Sequence, residues 1–548
     1  MSEKGPTCCS GFSRKIKQTF QENGPEFKRL FFLSGPLAIT NFLDYAPLVI
    51  TSMFVGHIGK LQLDAIMLAF AYISVVGVAV GLGLNSACDT LLSQIYGGKN
   101  LKYIGVVVQR AFIILSLACF PCWAIYINTE NILLLCGQDK DLARETELCV
   151  LMLIPALPVI FYFQIEIRYL QNQEIIWPQI LVGMLACIVV ALFNYLLLFV
   201  LNIGIIGAAL AVDIGMFFQC LLLFLYIRVR KLHVPSWAGW TTECLEDWGS
   251  FMALGVPGIL IVSLEFWAYE ISMLLTGLIN LVELGAQSIL VQLITLAYKI
   301  SFAIGMAASI RVGTFLGAGE TYEAKRSAKL SLVMMTLCTL VISIFLIVLR
   351  YPLGNIFTDE KPIIELVSQA MPLCALFFLL LSPIAVFNGL LKGIGKLEIG
   401  ALVIIIGYCL IAFPAGVPLM FPAKLGIRGF WIGMILGFVC IIVFFGLYFG
   451  RLDWSLVTEK AQERVGLKKN SSKFEHSIDT PDNKELTDYA SLHSSSSETE
   501  LHKDPPEVSA EERRALKRLI IRRTLEALAA ISTLLIGLLI KFTIKHHQ

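Results

Sequence analysis

Long apolar segments recur along the chain and are separated by short polar stretches that hold most of the charges. A run of about 20 apolar residues crosses a bilayer as an α-helix, because a helix satisfies its own backbone hydrogen bonds. The pattern predicts thirteen spans, near residues 30–55, 65–94, 105–127, 147–169, 178–201, 204–227, 250–278, 284–315, 328–350, 363–389, 400–421, 428–450 and 519–540. We therefore expect an all-α integral membrane protein.

Composition supports this prediction and narrows the possible chemistry. Of all residues, 57% are hydrophobic and 15% are charged, whereas about a quarter are charged in soluble domains. The net charge of +2 gives no basis for binding nucleic acid. Cys119 and Cys122 have the spacing of zinc ligands, but no second pair accompanies them, so we predict no metal and no cofactor. Of the seven histidines, only His57 lies near the end of a predicted span, and this argues against an enzyme. The sequence also lacks the rings of charged residues that are typical of a channel.

The chain repeats itself with an offset of about 220 residues, as expected for one duplicated bundle. The motif Leu33-Ser-Gly-Pro36 corresponds to Leu254-Gly-Val-Pro257, and Gly204-Ile-Ile-Gly207 corresponds to Gly426-Ile-Arg-Gly429. An even number of helices returns the chain to its starting side, so two six-helix repeats share one orientation. A pseudo-two-fold axis along the membrane normal then relates them, and a cleft lies between them.

The distribution of lysine and arginine predicts the topology. Basic residues concentrate before the first span and in every second loop, which places the N-terminus in the cytoplasm and the C-terminus outside. The predicted regions are a cytoplasmic N-terminus (1–29), an N-lobe with six helices (30–228), a cytoplasmic linker (229–249), a C-lobe with six helices (250–450), a disordered cytoplasmic segment (451–518), and a thirteenth helix with the C-terminus (519–548).

Two carboxylates interrupt the apolar seventh span in the stretch SLEFWAYEISML, residues 263–274. An ionisable residue inside the membrane is a functional candidate by default. Glu270 follows Trp267 and Tyr269, and an indole beside a carboxylate suits an organic cation. Burial also favours protonation of a carboxyl group, so one group can hold either a proton or a cation. We predict this role for Glu270 first and for Glu265 second, with a buried, hydrogen-bonded glutamic acid as the alternative.

Other ionisable residues also lie within the predicted spans. Asp89, Glu166 and Asp213 lie toward helix ends, and Asp89 or Glu166 can pair with Arg168. Lys299 lies in mid-helix, where it either neutralises a glutamate of the preceding helix or attracts anions to the cleft.

The longer motifs resemble those of the multidrug and toxin extrusion (MATE) transporters, in particular the vertebrate branch with its thirteenth helix. The resemblance rests on Val55–Lys60, Ser86–Gly97, Trp267–Glu270, Val282–Gln287 and Arg311–Gly319. It implies a proton-coupled antiporter in the plasma membrane that expels small organic cations and consists of one subunit. The glutamate after Trp-Ala-Tyr, here Glu270, is then associated with cation binding and proton coupling. Gln94, Glu283 and Arg311 occupy motif positions at helix ends, where we expect architectural roles.

The chain also departs from that branch. Glutamates expected on helices eight and ten are replaced by Gln292 and Leu381, while Lys299 and Asp44 are added. Asp44 could take part of the coupling role or hydrogen-bond at a kink near Pro47. These differences keep two alternatives open: an exporter of zwitterionic or anionic solutes with the same fold, and a lipid-type flippase.

Overall fold

The computed structural model describes residues 8–466 and 510–547 of the chain, with side chains from 22 to 466 and from 514 to 544. This part is helical and contains thirteen long helices. They are α1 (Cys8–Gly56), α2 (Lys60–Gly97), α3 (Leu101–Tyr126), α4 (Lys140–Met152 and Ala156–Gln171), α5 (Trp177–Val200), α6 (Ile205–Val229), α7 (Trp248–Gly277), α8 (Leu281–Ala318), α9 (Thr321–Val348), α10 (Lys361–Ile394), α11 (Leu397–Met420), α12 (Ile427–Gly450) and α13 (Ala510–His547).

Each predicted span corresponds to one of these helices. Twelve of them are individually long and apolar enough to cross a membrane, and α4 also qualifies when its two segments, bent by 53°, count as one span. The break falls just before Ala156, where Pro155 cannot donate a helical hydrogen bond. Three spans contain a π-helical stretch: Ser74–Val78 in α2, Leu196–Val200 in α5 and Ile406–Ala412 in α11. Short helices lie at Thr129–Leu135 and Arg350–Asn355, with a 3-10 turn at Thr242–Leu245.

The bundle has two halves, α1–α6 and α7–α12. We call the face of the bundle at which α1 begins the N-terminal face, and the other side the opposite face. Near the N-terminal face the halves pack backbone to backbone through glycines, since a Cβ added at Gly83 would overlap Ile259 of α7. A Cβ at Gly97 or Gly317 would likewise overlap the facing helix. Small residues allow such close helix contacts within a membrane.

Helix α13 lies outside both halves and packs along α3. The Asn128 side chain donates a hydrogen bond to the Gly537 carbonyl (2.9 Å), and Gly537 itself lies against Ala124. At one end Arg523 lies over the Trp248 ring, 4.1 Å from its centroid. At the other end Lys541 pairs with Glu147. Most of the α13 surface is exposed, as expected for an accessory span that faces lipid.

The segment 451–518, predicted to be disordered, is partly ordered. Residues Trp454–Arg464 form a helix whose first turn is capped by Asp453, the carboxylate of which accepts hydrogen bonds from the backbone of Ser455 and Leu456. Trp454 and Ala461 are buried against the bundle. The prediction was wrong here because this amphipathic helix needs its partner helices, which the local composition does not reveal. The remainder of that segment up to residue 509 lies outside the described residues.

Candidate functional site

Helix α7 turns Glu265 toward the interior of the second half. Exposed apolar side chains form a stripe along α7 that includes Trp267 (49% exposed) and Leu274 (59%). At 3.6 residues per turn, Glu265 and Tyr269 both point about 160° away from Trp267. Both side chains are partly buried, so the α7 side opposite the exposed stripe carries a carboxylate inside the bundle.

The surroundings of Glu265 are aromatic and polar. The Asn388 side chain on α10 donates a hydrogen bond to the Glu265 carboxylate at 3.4 Å. Tyr298 of α8 and Tyr408 of α11 lie near enough to interact electrostatically with Glu265, as does Tyr269. We call Glu265, Tyr269, Tyr298, Asn388 and Tyr408 the acidic chamber.

Several polar groups of the acidic chamber are left without partners in the described chain. The hydroxyls of Tyr269, Tyr298 and Tyr408 make no hydrogen bond to another described residue, and the Asn388 amide oxygen is buried without one. A carboxylate with aromatic faces and free hydroxyls around it can bind a cation by Coulomb attraction, ring quadrupoles and hydrogen bonds.

Glu270 lies elsewhere. It is about 60° around α7 from Trp267, at the edge of the exposed stripe, and its side chain is itself exposed. It forms no hydrogen bond or ion pair with any described residue. Trp267 is therefore on the same side as Glu270, as the sequence suggested, but Glu265, which is partly buried, is the less exposed carboxylate of α7.

A second polar group lies where α1 of the first half meets α8 of the second. The Asn41 amide donates to the Lys299 carbonyl at 3.2 Å, and the Tyr45 hydroxyl and the Gln292 amide hydrogen-bond at 3.0 to 3.2 Å. The Lys299 ammonium lies over the Tyr45 ring, 5.2 Å from the centroid. Lys299 does not pair with a glutamate of α7, so the structural pairing considered from the sequence is not formed in this conformation.

Asp44 belongs to the same region. Its carboxylate accepts a hydrogen bond from Gln219 of α6 at 3.4 Å and interacts electrostatically with Lys299 and Arg168. Helices of both halves thus surround Asp44, yet its side chain is solvent-exposed. This combination indicates a position on the space between the halves. We call Asp44, Tyr45, Gln219, Gln292 and Lys299 the interface cluster.

The N-terminal face is closed by buried ion pairs that join the halves. Asp89 of α2 contacts Arg168 of α4 at 3.3 Å and Lys392 of α10 at 3.2 Å. Asp89 and Arg168 are almost fully buried. The carboxylate therefore links one helix of the second half to two helices of the first.

A second ionic group lies at the same face. Arg311 of α8 donates two hydrogen bonds to Glu26 of α1, at 3.0 and 2.7 Å, and one to Glu174, at 2.9 Å. Arg29 also donates to Glu174, at 2.7 Å. Burial alone would raise the pKa of the Glu174 carboxyl, but the hydrogen bond from Arg29 and the charge of Arg311 hold its pKa below the ordinary value. Sequence reasoning placed Arg311 in an architectural role and missed Glu26 and Glu174, because nothing in their local sequence signals a distant partner.

The two other motif residues also contact backbone at helix ends. Gln94 donates to the Gly393 carbonyl at 2.9 Å and so links α2 to α10. The Glu283 carboxylate accepts a hydrogen bond from the Ile427 backbone at 2.8 Å and caps the start of α12. A carboxylate at the start of a helix accepts a hydrogen bond from a backbone N–H group that has no partner within the helix, and its negative charge interacts favourably with the helix dipole.

The contacts between the halves are unevenly distributed along the membrane normal. Within the described chain, the pair closest to the opposite face is Tyr45 with Gln292. Each of these two residues lies 11 positions from the helix end at that face, or about 16 Å along the axis. The remaining part of the interface there has no hydrogen bond or ion pair between the described halves. Hydrogen bonds and ion pairs therefore join the described halves only between mid-membrane and the N-terminal face.

Comparison with known proteins reveals the family. The MatE family profile matches residues 36–196 and again residues 257–417. The chain belongs to the MATE family. The two matched segments start 221 residues apart, which agrees with the predicted duplication.

Vertebrate members of the MATE family are similar over almost the whole chain. It is 40% identical to multidrug and toxin extrusion protein 1 of Xenopus tropicalis, over 99% of this chain and 96% of that protein. It is also 40% identical to the human protein of that name, over 95% of this chain and 94% of the human protein. Among solved structures, the eukaryotic MATE transporter AtDTX14 aligns with a TM-score of 0.77 and 30% identity, covering 80% of this chain and 99% of that one.

Proposed function

We propose that the protein is a secondary active exporter that exchanges protons for organic cations by alternating access of its two halves. The observation that carries this proposal is the acidic chamber, in which the Glu265 carboxylate is surrounded by three tyrosines whose hydroxyls have no partner among the described residues. Its MATE relatives are named for multidrug and toxin extrusion, which supports a broad range of drug-like substrates.

Coupling follows from competition for one carboxylate. A proton and an organic cation cannot both neutralise Glu265, so arrival of either one favours release of the other. Alternate occupancy on the two sides of the membrane then gives electroneutral exchange. Glu270 lies nearer the opposite face on α7 and is exposed, so we propose that it attracts cations before they reach Glu265. Asp44 would hold a positive group on the first half.

Alternating access requires the closed face to open. We propose that the N-terminal face is cytoplasmic, as the basic loops predict, and that this conformation faces outward. The transition to the inward-facing state would break the ion pairs that join the halves in the described chain, namely Asp89 with Lys392 and Arg311 with Glu26 and Glu174.

Transport into proteoliposomes tests the proposal. Purified protein is reconstituted, and uptake of radiolabelled tetraethylammonium is measured with and without an imposed proton gradient. We expect a gradient of two pH units to raise the initial uptake rate by about tenfold or more. Vesicles with protein but no gradient are the control. Uptake that does not respond to the gradient would contradict proton coupling.

A further inference from the structure

Two side chains of opposite charge lie in the same region of the boundary between the halves. Asp44 lies on α1 and Lys299 on α8, and each feels the charge of the other. Neither belongs to an ion pair within the described residues. Asp44 has only the Gln219 amide as a hydrogen-bond partner, and the Lys299 ammonium has only the face of Tyr45.

The backbone around the two charges is fixed by contacts between the same helices. The hydrogen bond from Asn41 to the Lys299 carbonyl sets the approach of α1 and α8. One turn along, the Tyr45 hydroxyl pairs with Gln292, while the Tyr45 ring supports the Lys299 ammonium. Gln292 is neutral and already hydrogen-bonded, so the ammonium is not neutralised by a carboxylate of its own helix.

Charges inside a membrane protein are costly unless they meet water or a charged ligand. A solute with only a positive charge would be attracted by Asp44 and repelled by Lys299, and the reverse holds for an anion. A solute with both charges satisfies both side chains at once.

We propose that Asp44 and Lys299 form a binding site for zwitterionic solutes, with the ammonium of the solute at Asp44 and its carboxylate at Lys299. This inference rests on the proposed export function and names a substrate class for it. The solute bridges the two halves, so its binding energy depends on their separation. Lys299 is then a specificity-determining residue that distinguishes zwitterions from simple cations.

Two probes with the same body test the charge requirement. They are 4-(trimethylammonio)butyrate, a zwitterion, and its methyl ester, which keeps the ammonium but lacks the negative charge. Equilibrium binding of each radiolabelled probe to the purified full-length protein is measured first, and proton-driven uptake into proteoliposomes second. The variants are Lys299→Met, which removes the charge at similar length, and Lys299→Arg, which keeps it.

The wild type is expected to bind the zwitterion at least tenfold more tightly than the ester. In Lys299→Met the zwitterion should lose roughly tenfold or more in affinity, the loss typical of one charged hydrogen bond, while ester binding stays equal or improves. Lys299→Arg should keep the preference of the wild type. The ester also reports folding, because a misfolded variant loses both probes.

Equal affinity of the wild type for both probes, or an equal loss of both in Lys299→Met while Lys299→Arg binds normally, would overturn the proposal. The binding and transport assays distinguish failure of the Asp44–Lys299 site from failure of the proposed export mechanism. If the zwitterion is bound selectively but no probe responds to a proton gradient, the export mechanism fails and the site stands. If tetraethylammonium is driven by the gradient but the zwitterion is not preferred, the site fails and the export mechanism stands.

Discussion

At the residue scale, the proposed coupling of proton and cation depends on which carboxylate of α7 lies inside the bundle. The sequence identified both Glu265 and Glu270 as candidates, because ionisable residues in an apolar span are conspicuous. The sequence does not indicate which of the two is less exposed, since the rotation of α7 is set by its contacts with α2, α8 and α11. The structure places Glu265 beside Asn388 and the tyrosines, while Glu270 is exposed at the edge of the apolar stripe.

The two glutamates should therefore respond differently to removal of their charge. We expect Glu265→Gln to reduce proton-driven tetraethylammonium uptake by about 100-fold or more, because the group that alternates between proton and cation is lost. Glu270→Gln should raise KM severalfold with a smaller change in kcat, since it removes only attraction near the opening. Proteoliposome uptake measures both, and Glu265→Asp is the control that keeps a carboxylate. Stronger loss in Glu270→Gln than in Glu265→Gln would reverse this ranking.

The ion pairs of Glu174 should make stability depend on acid pH. The pKa of Glu174 is below its ordinary value, about 4.5, in the folded protein. Its stabilising contribution is therefore complete above that ordinary value and is lost as the pH falls through the lower folded-state pKa. The Tm difference between the wild type and Glu174→Gln should be constant from pH 8 to about 5 and shrink below pH 4.5. A difference that grows with acidification would show that Glu174 is not stabilised as an anion.

At the element scale, the spans could be predicted from the sequence because about 20 apolar residues leave a helix few alternatives. The number of helices and the position of α13 outside the duplication agree with that prediction. The helix Trp454–Arg464 was missed, because its polar surface resembles a linker and its buried face depends on tertiary contacts. The bend in α4 and the π-helical stretches likewise depend on packing.

Helix α13 can be tested as an accessory element. A side chain at Gly537 would collide with the α3 backbone at Ala124, whereas one at Gly446 on α12 meets no atom within 4 Å. Gly537→Leu should lower Tm through overpacking, which costs about 1–3 kcal/mol, yet leave proton-driven uptake within about twofold of the wild type. Gly446→Leu is the matched control with neither change. Loss of coupling in a Gly537→Leu protein that remains folded would show that α13 takes part in the transport cycle.

At the scale of the whole molecule, buried ion pairs join the halves at the N-terminal face, and between the described residues no such pair joins them toward the opposite face. The duplication could be predicted from repeated motifs, and the two family matches support it. Which face is joined could not be predicted from the sequence, because it depends on pairs such as Arg311 with Glu26, which lie 285 residues apart in the chain. Under the alternating access that we propose, these pairs would belong to one of the two conformations of the cycle.

Weakening that closure should shift the balance of conformations. In Arg311→Lys the two-pronged contact with Glu26 is lost. Spin labels are placed at positions 99 and 320, just beyond the ends of α2 and α8. Double electron–electron resonance then measures the distance between the halves. We expect a broader distribution with a longer component than in labelled wild type. An unchanged distribution would mean that these pairs do not hold the face closed.

The proposed mechanism requires a proton and an organic cation to compete for Glu265, and proton release on cation binding measures this competition directly. Tetraethylammonium is added to the purified protein in weakly buffered detergent solution near neutral pH, and the pH change is recorded. We predict proton release on cation binding by the wild type, which rises toward one proton per bound cation as the starting pH is lowered, and none in Glu265→Gln. Saturable cation binding by the wild type without proton release, or equal release by Glu265→Gln, would contradict the account.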